Sequence, residues 1–432
     1  MVVDGELVAA GGHGVTLLGG GEAVTAQTPF VTGSISKSFT ALAIMQLAEA
    51  GALDLDDAVA EHLDAFADRP AGDATIRQLL SHTSGYSTLQ GNSATGDAEG
   101  RLAVEVEALA ALTPANAPGT TWAYSNANYQ ILGRVIEERS GQPYADYVAS
   151  KILEPVGMAH SFAADGTAHP EVARGHLPWF GTKRPRPPYA FPTGSAPQGG
   201  IVASAEDLAR YAQVMVNGQD DILSAEGKAA MLQPASEASP HYGFGWFLDP
   251  QNGSAWHSGA SPGTETLITL VPDTRSAAVV LVNAGSGVGF GETAPLSLGI
   301  TARALELDDD GEGGRWGAKL TFLLLALSPL AFLACAAWAW LGRDALRAKT
   351  SSAFGLFSLW FPLLSTAIVA ALLTGLVPRM IGAPMATIRR FSPDLALSLV
   401  ATAITGVAWA LLRLGLAYTG QTPEAAHPTA DQ

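Results

Sequence analysis

The fold turns on Gly33-Ser34-Ile35-Ser36-Lys37-Ser38-Phe39-Thr40, a small-residue turn that runs straight into an apolar segment. From Phe39 to Ala48 almost every residue is apolar (Leu42, Ile44, Met45 and Leu47 among them), and Gly51 stands where a helix would stop. A helix apolar around most of its circumference belongs inside a protein. Its N-terminus then opens into a buried cleft, with unpaired backbone N–H groups and the positive end of the helix dipole beside Ser34. At i and i+3, the Ser34 hydroxyl and the Lys37 ammonium share one face. A serine is a weak nucleophile until a neighbour takes its proton, and a partly desolvated lysine can help to do so. The spacing fits a nucleophilic serine. Taken alone, it fits equally well an N-cap at Ser34 with Lys37 solvated in the first turn.

The 432 residues leave room for a large enzyme domain and a further unit. A formal charge of −16 repels phosphate backbones, so no nucleic-acid partner is expected. The single cysteine, Cys335, lies in an apolar run, which excludes an internal disulfide and a thiolate metal site. There is no H-E-x-x-H pair, no Walker loop and no G-x-G-x-x-G after a strand, so neither a metal nor a cofactor is expected.

Val2 to Val8 reads as a strand end, an Asp4-Gly5 hairpin turn and a second strand. No charged region followed by an apolar core precedes it. Leu53 to Ala67 reads as a turn and a helical stretch, and Thr75 to Leu80 as a short helix ending at Ser81-His82-Thr83-Ser84-Gly85. At that helix end His82 is read as satisfying local backbone. Trp122 to Tyr129, with Tyr124-Ser125-Asn126 inside it, is a loop that leads into an amphipathic helix ending near Gly141. Pro178 to Pro192, rich in proline and basic residues, reads as an exposed arm. From Tyr242 the pattern is of strands: Tyr242–Phe247, Ala255–Gly259, Thr266–Val271 and Ala277–Asn283, an antiparallel meander closed by a helix from Thr293 to Leu307.

Residues 308–319 form an acidic, glycine-rich linker. Beyond it Leu320–Leu341, Phe354–Pro378 and Leu395–Leu412 are uncharged or nearly uncharged apolar runs of about the length that spans a bilayer, separated by short basic loops. A transmembrane region over 320–418 and a polar tail over 419–432 follow. The first loop carries Arg343, Arg347 and Lys349 against Asp344, the second Arg379, Arg389 and Arg390, so charge does not separate the two orientations.

Three short motifs now stand in order: Ser34-Ile35-Ser36-Lys37, Tyr124-Ser125-Asn126 and His257-Ser258-Gly259. With Leu79–Gly85, Glu154-Pro155-Val156-Gly157-Met158 and Gly199-Gly200, they make residues 1–307 resemble the serine β-lactamase and D-alanyl-D-alanine peptidase superfamily, in its class C-like branch. The resemblance implies an α+β fold, an antiparallel sheet flanked by helices plus an all-helical subdomain. It implies Ser34 as nucleophile, Lys37 as the cation that eases its deprotonation, and Tyr124 as general base with a pKa depressed by Lys37. Asn126 would hold the substrate amide or carbonyl. His257 takes the place of the lysine of the branch's penicillinases, as in its peptidases and esterases, with Gly259 beside it in the third motif. The N–H groups of Ser34 and Ala260 would form the oxyanion hole. The family begins with a helix and a full strand absent here, so the start is expected to lie too far downstream. The resemblance also implies work outside the cytoplasmic membrane.

The expectation is a multi-pass membrane protein whose serine hydrolase domain acts on a small-molecule or peptide substrate, an ester or amide, through a Ser34 acyl-enzyme. The rival is a sensor or binding protein that is acylated by, or binds, cell-wall peptides without turnover. Substrate and oligomeric state are not legible, since one fold serves several acyl and leaving groups.

Overall fold

The computed structural model describes residues 1–93, 100–288, 292–308 and 316–419. It divides into two compact units, Met1–Gly314 with Gly382–Pro393, and Arg315–Ile381 with Asp394–Gln432.

In the first unit the strands are β1 (Val2–Val3), β2 (Glu6–Leu7), β3 (Phe30–Val31), β4 (Phe162–Ala163), β5 (His176–Trp179), β6 (Thr182–Pro185), β7 (Ile201–Ala203), β8 (Phe247–Asp249), β9 (Ser254–Ser261), β10 (Thr264–Val271) and β11 (Ser276–Val282). Six of them form an antiparallel sheet in the order β2-β1-β11-β10-β9-β8. The hairpin expected at the N-terminus is present, with Val2 opposite Leu7 and both turn residues, Asp4 and Gly5, at positive φ (52° and 83°). The meander β9-β10-β11 is the longest paired region, with Ile268 opposite both His257 and Val279. The helices Ala205–Val216 and Thr293–Leu305 pack on β10 and β11.

The apolar helix following Ser34, α1 (Ser36–Glu49), is buried over Ser36–Met45 and again at Leu47. It packs against Asn126–Ser140 and Ala196–Gly199. An all-round apolar sequence has no face to give to water, and α1 accordingly forms the centre of the main core with Phe39, Leu42 and Ile44 fully enclosed. Its polar residues are bonded inward. Ser36 Oγ donates to Gly33 O at 2.7 Å, and Thr40 Oγ1 to Pro197 O at 2.7 Å.

Two sequence expectations change, and that of an exposed basic arm is refined. Leu53–Ala67 holds only two short 3₁₀ turns, Val59–Glu61 and Asp64–Phe66. Its aspartates take backbone N–H groups, Asp54 that of Asp56 and Asp57 that of Asp54, which competes with helix. The basic arm is a hairpin, β5–β6, turning at Phe180 and Gly181, with Phe191 beyond it only 5% exposed. Its arginines lie over aromatic rings, Arg184 on Trp179 at 3.8 Å and Arg186 on Tyr189 at 3.3 Å. Tyr242–Trp246 is a buried turn rather than a strand. There Gly245 (φ 81°) lies against the backbone of α1, a Cβ falling 2.7 Å from Ser38 Cα.

The second unit holds three helices long and apolar enough to cross a membrane, Trp316–Leu341, Ala353–Ile381 and Pro393–Tyr418, with mean hydropathies of 2.3, 2.1 and 2.1. Leu324, Trp338 and Phe354 are among the large apolar side chains left uncovered, as helices surrounded by lipid require.

Candidate active site

Ser34 lies in a 3₁₀ turn, Gly33–Ile35, that runs into α1. The turn is pinned to β9 and β10. Thr266 Oγ1 donates to Thr32 O at 2.7 Å, and a Cβ at Gly259 would overlap that same carbonyl, so the third motif needs glycine there. Gly33 faces Ala260, with a Cβ falling 2.6 Å from its nitrogen. Ser34 follows this contact directly, so its backbone lies close to that of Ala260.

One helical turn on, Lys37 is wholly enclosed. Its Nζ donates to Asn126 Oδ1 at 2.8 Å and to Gln198 O at 2.7 Å, and meets Ser34 Oγ at 3.2 Å. Burial holds its pKa well below the ordinary lysine value. Two of the three partners are carbonyl oxygens, which only accept. A neutral amine that satisfies both with its two N–H groups therefore points its lone pair at the Ser34 hydroxyl.

Tyr124 interacts with the Ser34 hydroxyl as well. Lys37 Nζ lies 4.9 Å from the Tyr124 ring centroid. The expected depression of this phenol is not found. Burial raises its pKa above the ordinary value, and only the bond with Ser34 works the other way. The lysine is itself shifted toward neutrality, which weakens the cation that was to stabilise a phenolate.

His257 is 1% exposed. Its Nδ1 lies 2.7 Å from Ser258 O, so it carries the proton, and Nε2 accepts from the Tyr242 hydroxyl at 3.2 Å. Burial first, and Lys37 second, lower its pKa to about 3. The ring is neutral and both nitrogens are occupied. His82, too, does more than satisfy local backbone. Its Nδ1 accepts from Ser125 N at 3.2 Å and pairs with Asn128 Nδ2 at 3.0 Å, while its ring packs 4.4 Å from that of Tyr124. It braces the loop that presents Tyr124 and Asn126.

The expected site residues, Ser34, Lys37, Tyr124, Asn126, His257, Gly259 and Ala260, thus lie together. The residues that sequence reasoning missed are Gln198, which acts through its carbonyl, Tyr242, and Asn92, whose Oδ1 accepts from Asn126 Nδ2 at 2.8 Å. His82 had a signal in its place within Leu79–Gly85, and Gln198 one in the glycines that follow it, which read as a close backbone approach.

Comparison with known proteins agrees with the geometry. A family model described as Beta-lactamase matches residues 1–302, and the chain belongs to this family. Penicillin-binding protein 4 of Amycolatopsis lactamdurans is 34% identical over 67% of this chain and 80% of its own. Protein flp of Staphylococcus aureus is 30% identical over 60% of this chain, which spans about half (53%) of that protein. The octameric penicillin-binding protein homologue of Pyrococcus abyssi superposes with a TM-score of 0.61 at 28% identity, covering 71% of this chain and 72% of that one. The class of protein is therefore a serine hydrolase or binder of the acyl-enzyme type, with an α+β fold and three apolar helices at its C-terminal end.

Proposed function

We propose that the protein is a membrane-anchored serine hydrolase that cleaves an ester or amide, as peptidases and esterases do, through an acyl-enzyme on Ser34. The observation that carries this reading is the enclosure of Lys37 between two carbonyl acceptors and the Ser34 hydroxyl. Neutral Lys37 takes the Oγ proton while Oγ bonds to the substrate carbonyl carbon, and the carbonyl oxygen gathers charge at the N–H groups of Ser34 and Ala260. As the tetrahedral centre collapses, the Tyr124 phenol gives its proton to the departing oxygen or nitrogen and recovers one from the Lys37 ammonium. Water then attacks the acyl carbon with the same groups acting in reverse, releasing the acid and restoring Ser34. Asn126 and the main chain of the third motif hold the substrate's polar groups.

The test is acylation of the membrane-embedded chain by a fluorophosphonate and a labelled penicillin, followed by a turnover screen over p-nitrophenyl esters, D-alanyl peptides and a chromogenic cephalosporin. Labelling lost in Ser34→Ala, with turnover of an ester or peptide, is the expected result. The penicillin-binding names of the relatives favour a second reading, a binder that is acylated without turnover. Stable acylation with no product in the screen would select it.

A further inference from the structure

A short helix, Thr88–Gly91, lies directly behind the loop that carries Tyr124 and Asn126. A Cβ on Gly91 would overlap Ser125 Oγ, and that hydroxyl donates to Ser87 O at 3.1 Å. Asn92 caps this helix and uses both ends of its amide. Its Oδ1 accepts from Asn126 Nδ2 at 2.8 Å, and its Nδ2 donates to Gly382 O at 2.9 Å. The Asn92 carbonyl accepts from Thr387 Oγ1 at 3.0 Å. Gly382 and Thr387 belong to Gly382–Pro393, which joins the second and third apolar helices in sequence yet falls within the first compact unit.

The bond from Asn126 to Asn92 has a consequence for Lys37. Asn126 must turn its oxygen, not its nitrogen, toward Nζ, and the two ends of an amide are nearly the same shape. By accepting from Nδ2, Asn92 fixes the oxygen on the lysine side. A flipped amide would set a donor against Nζ and remove one of the two carbonyls that aim its lone pair.

We propose that the segment Gly382–Pro393 is a working part of the catalytic unit, and that Asn92 is the positioning residue through which it holds Asn126 against Lys37. This rests on the reading of Lys37 as the base for Ser34. The chain path permits it. If each of the three apolar helices crosses the bilayer, the first carries the chain away from the hydrolase side and the second returns it, so the segment after the second emerges on the side of Ser34.

The experiment uses the full chain in native membranes. In a Cys335→Ala background, Thr88→Cys with Gly382→Cys tests docking without reference to catalysis. A Cβ at Gly382 stands 3.3 Å from Thr88 Cβ, near the span of a disulfide, about 3.8 Å. Gly382 has φ 71°, so a second pair, Thr88→Cys with Ala383→Cys, covers the strain of a side chain there. A reductant-sensitive cross-link between peptides containing positions 88 and 382 or 383 is expected. Asn92→Ala and Thr387→Val are then compared with the parent. Acylation should slow about tenfold in Asn92→Ala, the order of one lost hydrogen bond, with KM for an ester unchanged. Thr387→Val should lose part of this, and the double variant should be no slower than Asn92→Ala. Absence of cross-link from both pairs, or acylation by Asn92→Ala within a factor of about two of the parent, overturns the proposal. Ser34→Ala and Lys37→Met in the same membranes keep the two readings apart. If the parent itself is not acylated, the base assignment and the positioning role fall together, and the cross-link reports only whether the segment docks.

Discussion

The Tyr242 hydroxyl donates to Nε2 of His257 at 3.2 Å, and with Nδ1 held by Ser258 O the imidazole has no nitrogen left for a substrate. The position that would have to attract a substrate carboxylate therefore offers neither a charge nor a free donor. Benzylpenicillin, whose carboxylate needs a cation, should be turned over slowly or not at all, while a neutral p-nitrophenyl ester is hydrolysed. Purified full-length protein in detergent gives the comparison. Efficient penicillin hydrolysis would show that the charge comes from elsewhere.

The division of work between Lys37 and Tyr124 can be read from the leaving group. A phenol whose pKa is raised by burial is a proton donor, and it matters in proportion to how badly the leaving group needs a proton. Tyr124→Phe should acylate almost normally with p-nitrophenyl esters, yet lose about a hundredfold with alkyl esters or amides. Lys37→Met should fail with both. In the parent, acylation should rise with pH as Lys37 loses its proton, with an apparent pKa below the ordinary lysine range, and Tyr124→Phe should keep that rise. Equal losses on good and poor leaving groups would return Tyr124 to the role of base.

The stability of the hydrolase unit should fall on acidification. His257 titrates at about 3 in the folded chain against 6.5 as its ordinary value, and His82 is also lowered, by burial first and then by Lys37 and His257. Below pH 6.5 the unfolded chain binds protons that the folded one refuses, so unfolding is favoured as pH drops toward 3. His257 contributes about 1.4 kcal/mol per pH unit in that window, and His82 acts in the same direction. Lys37, lowered in the same sense, extends the trend upward, its penalty lifting only as pH rises toward the ordinary lysine value. Urea midpoints at pH 7, 6 and 5 measure the slope, and a midpoint that does not fall between pH 7 and 5 would contradict the two neutral rings.

His82→Leu should cost stability and rate together. It strips the acceptor from Ser125 N and Asn128 Nδ2 inside the core, about 1–3 kcal/mol for buried donors left unpaired. His82→Asn should recover much of both, because its Oδ1 sits near the place of Nδ1 and asparagine tolerates the positive φ of 60° found there. Indifference of the acylation rate to His82→Leu would remove the residue from the support of Tyr124.

The full chain should sediment with membranes and resist alkaline washing, as expected of three helices of hydropathy above 2. Recovery in the soluble fraction after ordinary lysis would count against the spans.

What the sequence disclosed was local and repetitive. The burial of α1 follows from its apolar residues alone, and three short motifs suffice to collect Ser34, Tyr124 and His257. What it hid depends on separation and on desolvation. The acceptor from Gln198 is a main-chain oxygen 161 residues from Lys37, with no side-chain signature. Asn92 meets Gly382 across 290 residues. The sign of the Tyr124 shift escaped because a sequence displays a neighbouring lysine but not the burial that raises the phenol's pKa and lowers the lysine's. The turn at Tyr242–Trp246 passed for a strand because aromatic residues alternate with glycines there, a pattern with the period of a strand.

The seating of Gly382–Pro393 also changes what the loop charges say about orientation. Arg389 and Arg390 lie in a segment folded with the hydrolase unit, and Arg390 adds its repulsion to the burial that lowers the pKa of Arg186. As part of a folded surface, they no longer act as free markers of the inner leaflet. Arg343, Arg347 and Lys349 then stand in the first loop against Arg379 alone. The balance that looked even becomes weighted, and an exterior Ser34 is the orientation to test. An impermeant maleimide should accordingly label Ser351→Cys, in the Cys335→Ala background, only after the cells are opened. The natural substrate would then be sought among the esters and amides of the cell envelope, not those of the cytosol.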